Sequence, residues 1–262
     1  MTSATKAFGA VMAVSLLASL ASVPFGVRVR KQSAGKETSL SESALWSIII
    51  GFELAASTLA VATGLWAGVR VGLGAPLVLR VAAGDPTALR ELRQGLPLAI
   101  AVGFGTGVAI AVLHLALRRM TPAGSKSPAG FKIWERLLAA LSAGIREELW
   151  FRFGLMTCVV WGAVHIVPTT GDNPAILWSA NLLVALGFGV AHLDQARALH
   201  GLTASYVAFI LLLNGFASLA FGWVYWRQGL LAAIVTHSCT DLILQTLASV
   251  LDRQKSRARL TN

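Results

Sequence analysis

Residues 95–117 read GLPLAIAVGFGTGVAIAVLHLAL, without one Asp, Glu, Lys or Arg. A helix rises about 1.5 Å per residue, so a run of this length crosses the roughly 30 Å hydrocarbon core of a bilayer. Lipid offers the backbone no hydrogen-bond partners, which makes the helix the natural conformation for such a run. Six more apolar runs flank it: Ala7–Val27, Ala44–Val69, Trp134–Ile166, Ala175–Ala196, Thr203–Trp223 and Gly229–Leu251. The expected fold is an all-α, polytopic transmembrane bundle of about seven spans, forming one membrane domain over residues 1–262. The run 134–166 is long enough for one tilted helix or two shorter pieces.

Composition agrees. The chain has 262 residues, 55% hydrophobic and only 13% charged, where a soluble domain carries about a quarter charged residues. Its net charge is +10, but the cations cluster between apolar runs: Arg28, Arg30, Lys31 and Lys36; Arg118, Arg119, Lys126 and Lys132; Arg253, Lys255, Arg257 and Arg259. That spacing reads as topology signals and contacts with membrane lipids. With no recognisable reader motif, no nucleic acid is expected as a partner. Cys158 and Cys239 lie inside apolar segments and are expected to be buried, inert thiols rather than a disulfide framework.

Two stretches are ambiguous. Lys6, an apolar run and small residues near Ala21 together resemble a signal peptide, but the run exceeds a typical signal core and a retained span is expected. Residues 71–94 contain Pro76, Arg80, Asp85, Pro86, Arg90 and Arg93, so an amphipathic or re-entrant surface segment is expected there. The basic segments at 28–43, 118–133 and the C-terminal tail fall on one side of seven spans, taken as the cytoplasm. The arginines of 70–94 then lie opposite, against the rule.

An ionisable group inside a span costs on the order of 3 kcal/mol, so it needs a partner or a job. The fourth run holds Arg146-Glu147-Glu148-Leu149-Trp150-Phe151-Arg152. Glu148 and Arg152 are one helical turn apart and can pair, whereas Glu147 is turned about 100° away and stays available as a base. The fifth run holds Phe188 and His192 one turn apart, with Gly187, Gly189 and Ala191 small enough to admit another helix. The last run places His237 and Asp241 at the same spacing. Each cluster alone has a bland reading as a salt bridge, a packing histidine or a helix-end pair. Glu53, Asn181 and Asn214 are expected to bond between helices, His114 and His165 to sit at interfaces, and Trp46, Trp66, Trp134, Trp178, Trp223 and Trp226 to form an interfacial belt.

The ordered set Glu-Glu-x-x-x-Arg, Phe-x-x-x-His, His-x-x-x-Asp on three apolar helices resembles the CPBP family. These are membrane proteases named for CAAX protein processing and bacteriocin processing, also called the ABI or type II CAAX prenyl protease family. The resemblance runs from about Gly144 to Leu244 and implies a catalytic core in the helices of 134–251. It implies a catalytic set of Glu147, Glu148, Arg152, His192, His237 and Asp241. Glu147 and His192 would activate the attacking water, Glu148 and Arg152 would hold the helix geometry, and His237 with Asp241 would stabilise the oxyanion. The family is often described with Asn at the last position. An ionised Asp cannot donate a hydrogen bond, so Asp241 is either protonated or orients His237. The family has been viewed both as metalloprotease and as glutamate-type peptidase. The His-Glu-x-x-His spacing of zinc proteases is absent, so no obligatory cofactor is expected, with a divalent metal such as zinc the alternative.

The resulting expectation is an intramembrane endopeptidase of the bacterial inner membrane. Its polypeptide substrate would be a leader, a C-terminal sorting signal or a CAAX-like tail. The alternatives are a proton-coupled transporter using the buried Glu/His/Asp network, and a non-catalytic membrane scaffold.

Overall fold

The computed structural model describes residues 3–34, 41–121 and 132–260, with the backbone alone for residues 3, 4, 29–34, 82, 198–200 and 249–260. The side chains of Arg30, Lys31, Lys36, Lys126, Arg253, Lys255, Arg257 and Arg259, counted above as basic flanks, lie outside the described residues. In chain order the helices are α1 (Ser3–Ala34), α2 (Glu42–Val71), α3 (Pro76–Ala82), α4 (Pro86–Ala116) and α5 (Ile133–Glu147). A π-helical segment (Glu148–Met156) follows, then α6 (Thr157–Ile166), α7 (Pro174–Ala191), α8 (Leu193–His200), α9 (Ala204–Gln228) and α10 (Leu230–Leu260). Seven stretches are long and apolar enough to cross a membrane: Thr5–Arg28, Glu42–Val71, Pro86–Ala116, Ile133–Ile166, Pro174–Arg197, Ala204–Gln228 and Leu230–Ala248. They coincide with the seven apolar runs. The chain is an integral, multi-pass helical membrane protein.

The fourth run is one path, with α5, the π segment and α6 continuous from Ile133 to Ile166. Residues 71–94 differ from expectation. They form no separate surface element beyond the short α3, and from Pro86 onward they are the first turns of α4. The reason is local: Asp85 caps α4 by accepting from the Thr87 amide at 2.8 Å, and Pro86 occupies the first turn, where its missing N–H costs nothing. Arg80 reaches back to Asp85 at 2.7 Å and also pairs with Glu91. The Thr87 hydroxyl and then the Arg80 guanidinium hold the Asp85 carboxyl down at about 2, and Asp85 with Glu91 pushes Arg80 up.

Helix α1 is packed into the bundle against α2 and α5. Ser15 and Ser57 share a hydrogen bond at 2.8 Å, and the Ser142 hydroxyl donates to the Ala18 carbonyl. Glu53 of α2 pairs with Arg146 of α5, the interhelical role expected of it. Asn181 likewise donates to the Leu219 carbonyl across the α7–α9 contact at 3.0 Å. Asn214 does not: its amide donates to Ile210 on its own helix at 2.9 Å. The two thiols are free but half-buried rather than fully buried.

Helices α4 and α10 run parallel, because Gly103 packs on Thr236 and Gly107 on Thr240 and Ile243. A Cβ on Gly103 would fall 2.5 Å from the Thr236 carbonyl oxygen and 2.8 Å from the Cys239 Cβ. The backbones approach so closely that the Thr236 and Thr240 hydroxyls donate to the Ala99 and Gly103 carbonyls, at 3.0 and 2.9 Å. Small residues thus set the helix spacing and threonines fasten it. Gly229, at φ 83°, makes the tight turn that sends α10 back antiparallel to α9.

Gly103→Leu should wedge α4 from α10 and sharply reduce both accumulation in membranes and the melting temperature of detergent-solubilised protein. Gly105→Leu, one turn-face away with nothing within 4 Å of its Cβ, should leave both nearly unchanged. Equal behaviour of the two variants would mean the contact is not what spaces these helices.

Candidate active site

The site grows from two irregularities in otherwise regular helices. The first is the π segment. The Thr157 amide donates to the Arg152 carbonyl five residues back, and the Thr157 hydroxyl reaches the same carbonyl at 3.1 Å. This wider winding begins immediately after Glu147 and aims Glu148 and Arg152 into the middle of the bundle. Both side chains are completely buried, and they pair at 3.1 Å (Nη1 to Oε1). Arg152 also donates to the Ser218 hydroxyl at 2.7 Å and lies over the Phe188 and Phe221 rings at 4.8 and 5.3 Å.

The second irregularity is at His192. The sequence places it within an apolar run, but α7 ends at Ala191 and α8 starts at Leu193. The His192 amide turns to the Gly189 carbonyl at 3.2 Å, so the Phe188 carbonyl has lost its ordinary helical partner. The His192 ring supplies a new one, with Nδ1 2.8 Å from that oxygen. A carbonyl only accepts, so Nδ1 carries the proton, and in the neutral ring Nε2 is an acceptor. Nε2 faces Glu147 Oε2 at 3.8 Å.

His237 on α10 joins the two parts. Its Nδ1 is 2.7 Å from Glu148 Oε1 and donates to that carboxylate. Its Nε2 faces Asp241 at 3.6 Å and Glu147 at 3.9 Å. Phe221 stacks on the imidazole at 4.4 Å. All six residues singled out in the sequence therefore meet in one cluster. The Glu148–His237 bond was not among the expected contacts, because it joins motifs 89 residues apart.

Accessibility divides the six. Glu148 and Arg152 are shut away and His237 is nearly buried with its ring at the cavity wall, whereas the side chains of Glu147, His192 and Asp241 are 20%, 27% and 28% exposed. These three and His237 line a cavity of about 440 Å³ between α4, α7, α9 and α10, whose other walls are mostly aliphatic and aromatic. Among the described residues, no three His, Cys, Asp or Glu side chains are placed to hold one metal ion.

This arrangement was compared with known proteins. Residues 129–243 match the family described as Rce1-like, type II CAAX prenyl endopeptidase Rce1-like. No curated protein and no solved structure matches the chain. Over residues 129–243, somewhat under half of its length, the chain is similar to the CAAX-protease family. It is a peptide hydrolase set in a membrane.

The CAAX-protease match begins only after α4, yet α4 supplies part of the cavity wall through Ile110, His114 and Leu115. Sequence reasoning gave His114 only an interfacial role and Asn214 only an interhelical hydrogen bond. No motif marks them, since they reach the cavity by helix packing alone.

Arg152→Met should leave the Glu148 carboxylate buried without its cation, at a cost on the order of 3 kcal/mol. The readout is a large fall in melting temperature and membrane accumulation, which a surface exchange such as Arg93→Met should not produce. A well-folded, abundant Arg152→Met protein would show that the pair contributes little to the bundle.

Proposed function

We propose that the protein hydrolyses a peptide bond of a membrane-associated polypeptide, using water held between Glu147 and His192. The observation that carries this reading is the pair Glu147 Oε2 and His192 Nε2, 3.8 Å apart at the cavity wall. Both are acceptors when the histidine is neutral, and two acceptors at that spacing can share one water at ordinary hydrogen-bond distances.

In the proposed step the water oxygen attacks the scissile carbonyl carbon while Glu147 takes a proton. The carbonyl oxygen becomes an oxyanion. His237 is oriented by its Nδ1 bond to Glu148, so a proton on Nε2 is directed towards the oxyanion. That second proton makes the ring a cation, for which Glu148 and Asp241 are the counter-charges. Asp241 thus acts through His237 and need not donate itself. Glu147 then gives its proton to the departing amine nitrogen as the C–N bond breaks. Fixed donors of this kind commonly supply a few kcal/mol of barrier reduction. The step is assigned to protein groups alone, with no metal in it.

The substrate class follows from position. The reactive groups lie inside the bundle in a cavity with apolar walls, so the cleaved segment must leave bulk water to reach them. A leader, a C-terminal sorting signal or a CAAX-like tail attached to the membrane would do so.

The test compares membrane and secreted polypeptides from cells carrying wild type, Glu147→Gln and His192→Ala, the variants shown to accumulate equally. The same polypeptide should remain uncut in both, with cleavage reduced at least about 100-fold. If equally abundant variants leave every terminus processed as in wild type, water activation by this pair is wrong.

A further inference from the structure

The cavity continues well past the reactive cluster, and its outer part carries two polar side chains that the proposed chemistry does not use. His114 of α4 lines it and rests edge-on against the ring of Phe209 at 5.3 Å. Among the described residues it makes no hydrogen bond. Asn214 of α9 also lines it. Its amide nitrogen is tied to the Ile210 carbonyl, which fixes the side chain and leaves Oδ1 as an acceptor. Between these two and the cluster the wall is apolar, with Ile110, Ala217 and Leu244.

Helix registers give their depth. Gly103 packs on Thr236, beside His237, and α4 runs parallel to α10. His114 stands eleven residues further along α4, roughly 16 Å at about 1.5 Å per residue. Phe221 stacks on His237, and Asn214 stands seven residues away on the antiparallel α9, roughly 10 Å in the same direction. An extended polypeptide advances about 3.3 Å per residue, so these spans correspond to about three and five residues. The mouth lies at the same end, where Leu115 and Leu247 are 59% and 38% exposed.

We propose that Asn214 and His114 form an outer subsite that binds the main chain of the polypeptide substrate about three to five residues from the scissile bond, on the side leading to the cavity mouth. The inference rests on the peptidase reading above and adds to it where the substrate is gripped. An acceptor oxygen and an imidazole suit peptide N–H and C=O groups, and a main-chain contact is independent of side-chain identity. The intervening apolar wall then faces the residues in between. Part of substrate selection therefore belongs to α4, outside the region shared with the CAAX proteases.

The test uses full-length protein in detergent micelles. The probe is a synthetic peptide spanning the junction found uncut in the Glu147→Gln cells, with a series trimmed one residue at a time from either end. His114→Phe and Asn214→Leu should raise KM about tenfold on the full peptide, with kcat within about twofold. Trimming wild-type substrate to fewer than about three residues on one side should raise KM similarly, and on that trimmed peptide neither variant should matter further. A merely structural role would depress cleavage of long and short peptides alike, and that outcome overturns the proposal, as would variants with unchanged KM on the full peptide. If wild type cleaves none of the peptides while Glu147→Gln still blocks processing in cells, the peptide contact proposed here fails and the hydrolase reading stands. If Glu147→Gln changes nothing in cells, the hydrolase reading fails first.

Discussion

The Glu148 carboxylate is the point on which the site depends. It is wholly buried, and it holds Arg152 from within its own segment and His237 from α10. A buried charge is costly unless paired and hydrogen-bonded, so this carboxylate constrains every helix that meets it. The Arg152 guanidinium in turn reaches Ser218 on α9 and lies over Phe188 of α7. Four spans are therefore registered to one anion. A shift of any of them by one residue would leave a charge in an apolar interior without its partner. The arrangement also fixes which nitrogen of His237 is proton-bearing, because a carboxylate accepts and cannot donate.

Backbone irregularity serves the same end. A regular helix satisfies its carbonyls internally and has none to offer a side chain. The break at His192 frees the Phe188 carbonyl, which orients the ring so that Nε2 turns to Glu147. The π winding after Glu147 separates two adjacent carboxylates into different surroundings, Glu147 at the cavity and Glu148 in the core. Two glutamates next to each other in sequence are thus given different solvation and different partners.

The sequence disclosed the spans and the six-residue cluster for clear physical reasons. Apolar runs of bilayer length need no tertiary information, and ionisable residues within them stand out against a strong energetic prohibition. One-turn spacing already placed Glu148 with Arg152 and His237 with Asp241. What it could not disclose depends on two elements at once. The π segment has no local signature in Glu148–Met156, and the Glu148–His237 bond joins distant helices. Asn214 was misassigned because an Asn in a span reads as an interhelical donor, whereas here its own helix offers a carbonyl within reach. The segment 71–94 was misjudged because its prolines and arginines were counted as breakers, although Pro86 behind Asp85 is a helix start.

The division of the cavity between matched and unmatched helices has a further consequence. The groups assigned to the proposed step come from α5, the α7–α8 junction and α10 and adjoin the buried ionic network, so they tolerate little change. The wall supplied by α4 is held differently, through small residues and threonine hydroxyls along α10. Ile110, Ala111, His114 and Leu115 line the cavity without any part in the ionic network. Exchanges there change the shape of the cavity wall without touching the bonds of Glu148 to Arg152 and His237. On the proposed reading, an ionically locked centre stands beside a wall that can vary independently, and the outer subsite proposed on α4 and α9 belongs to that variable part.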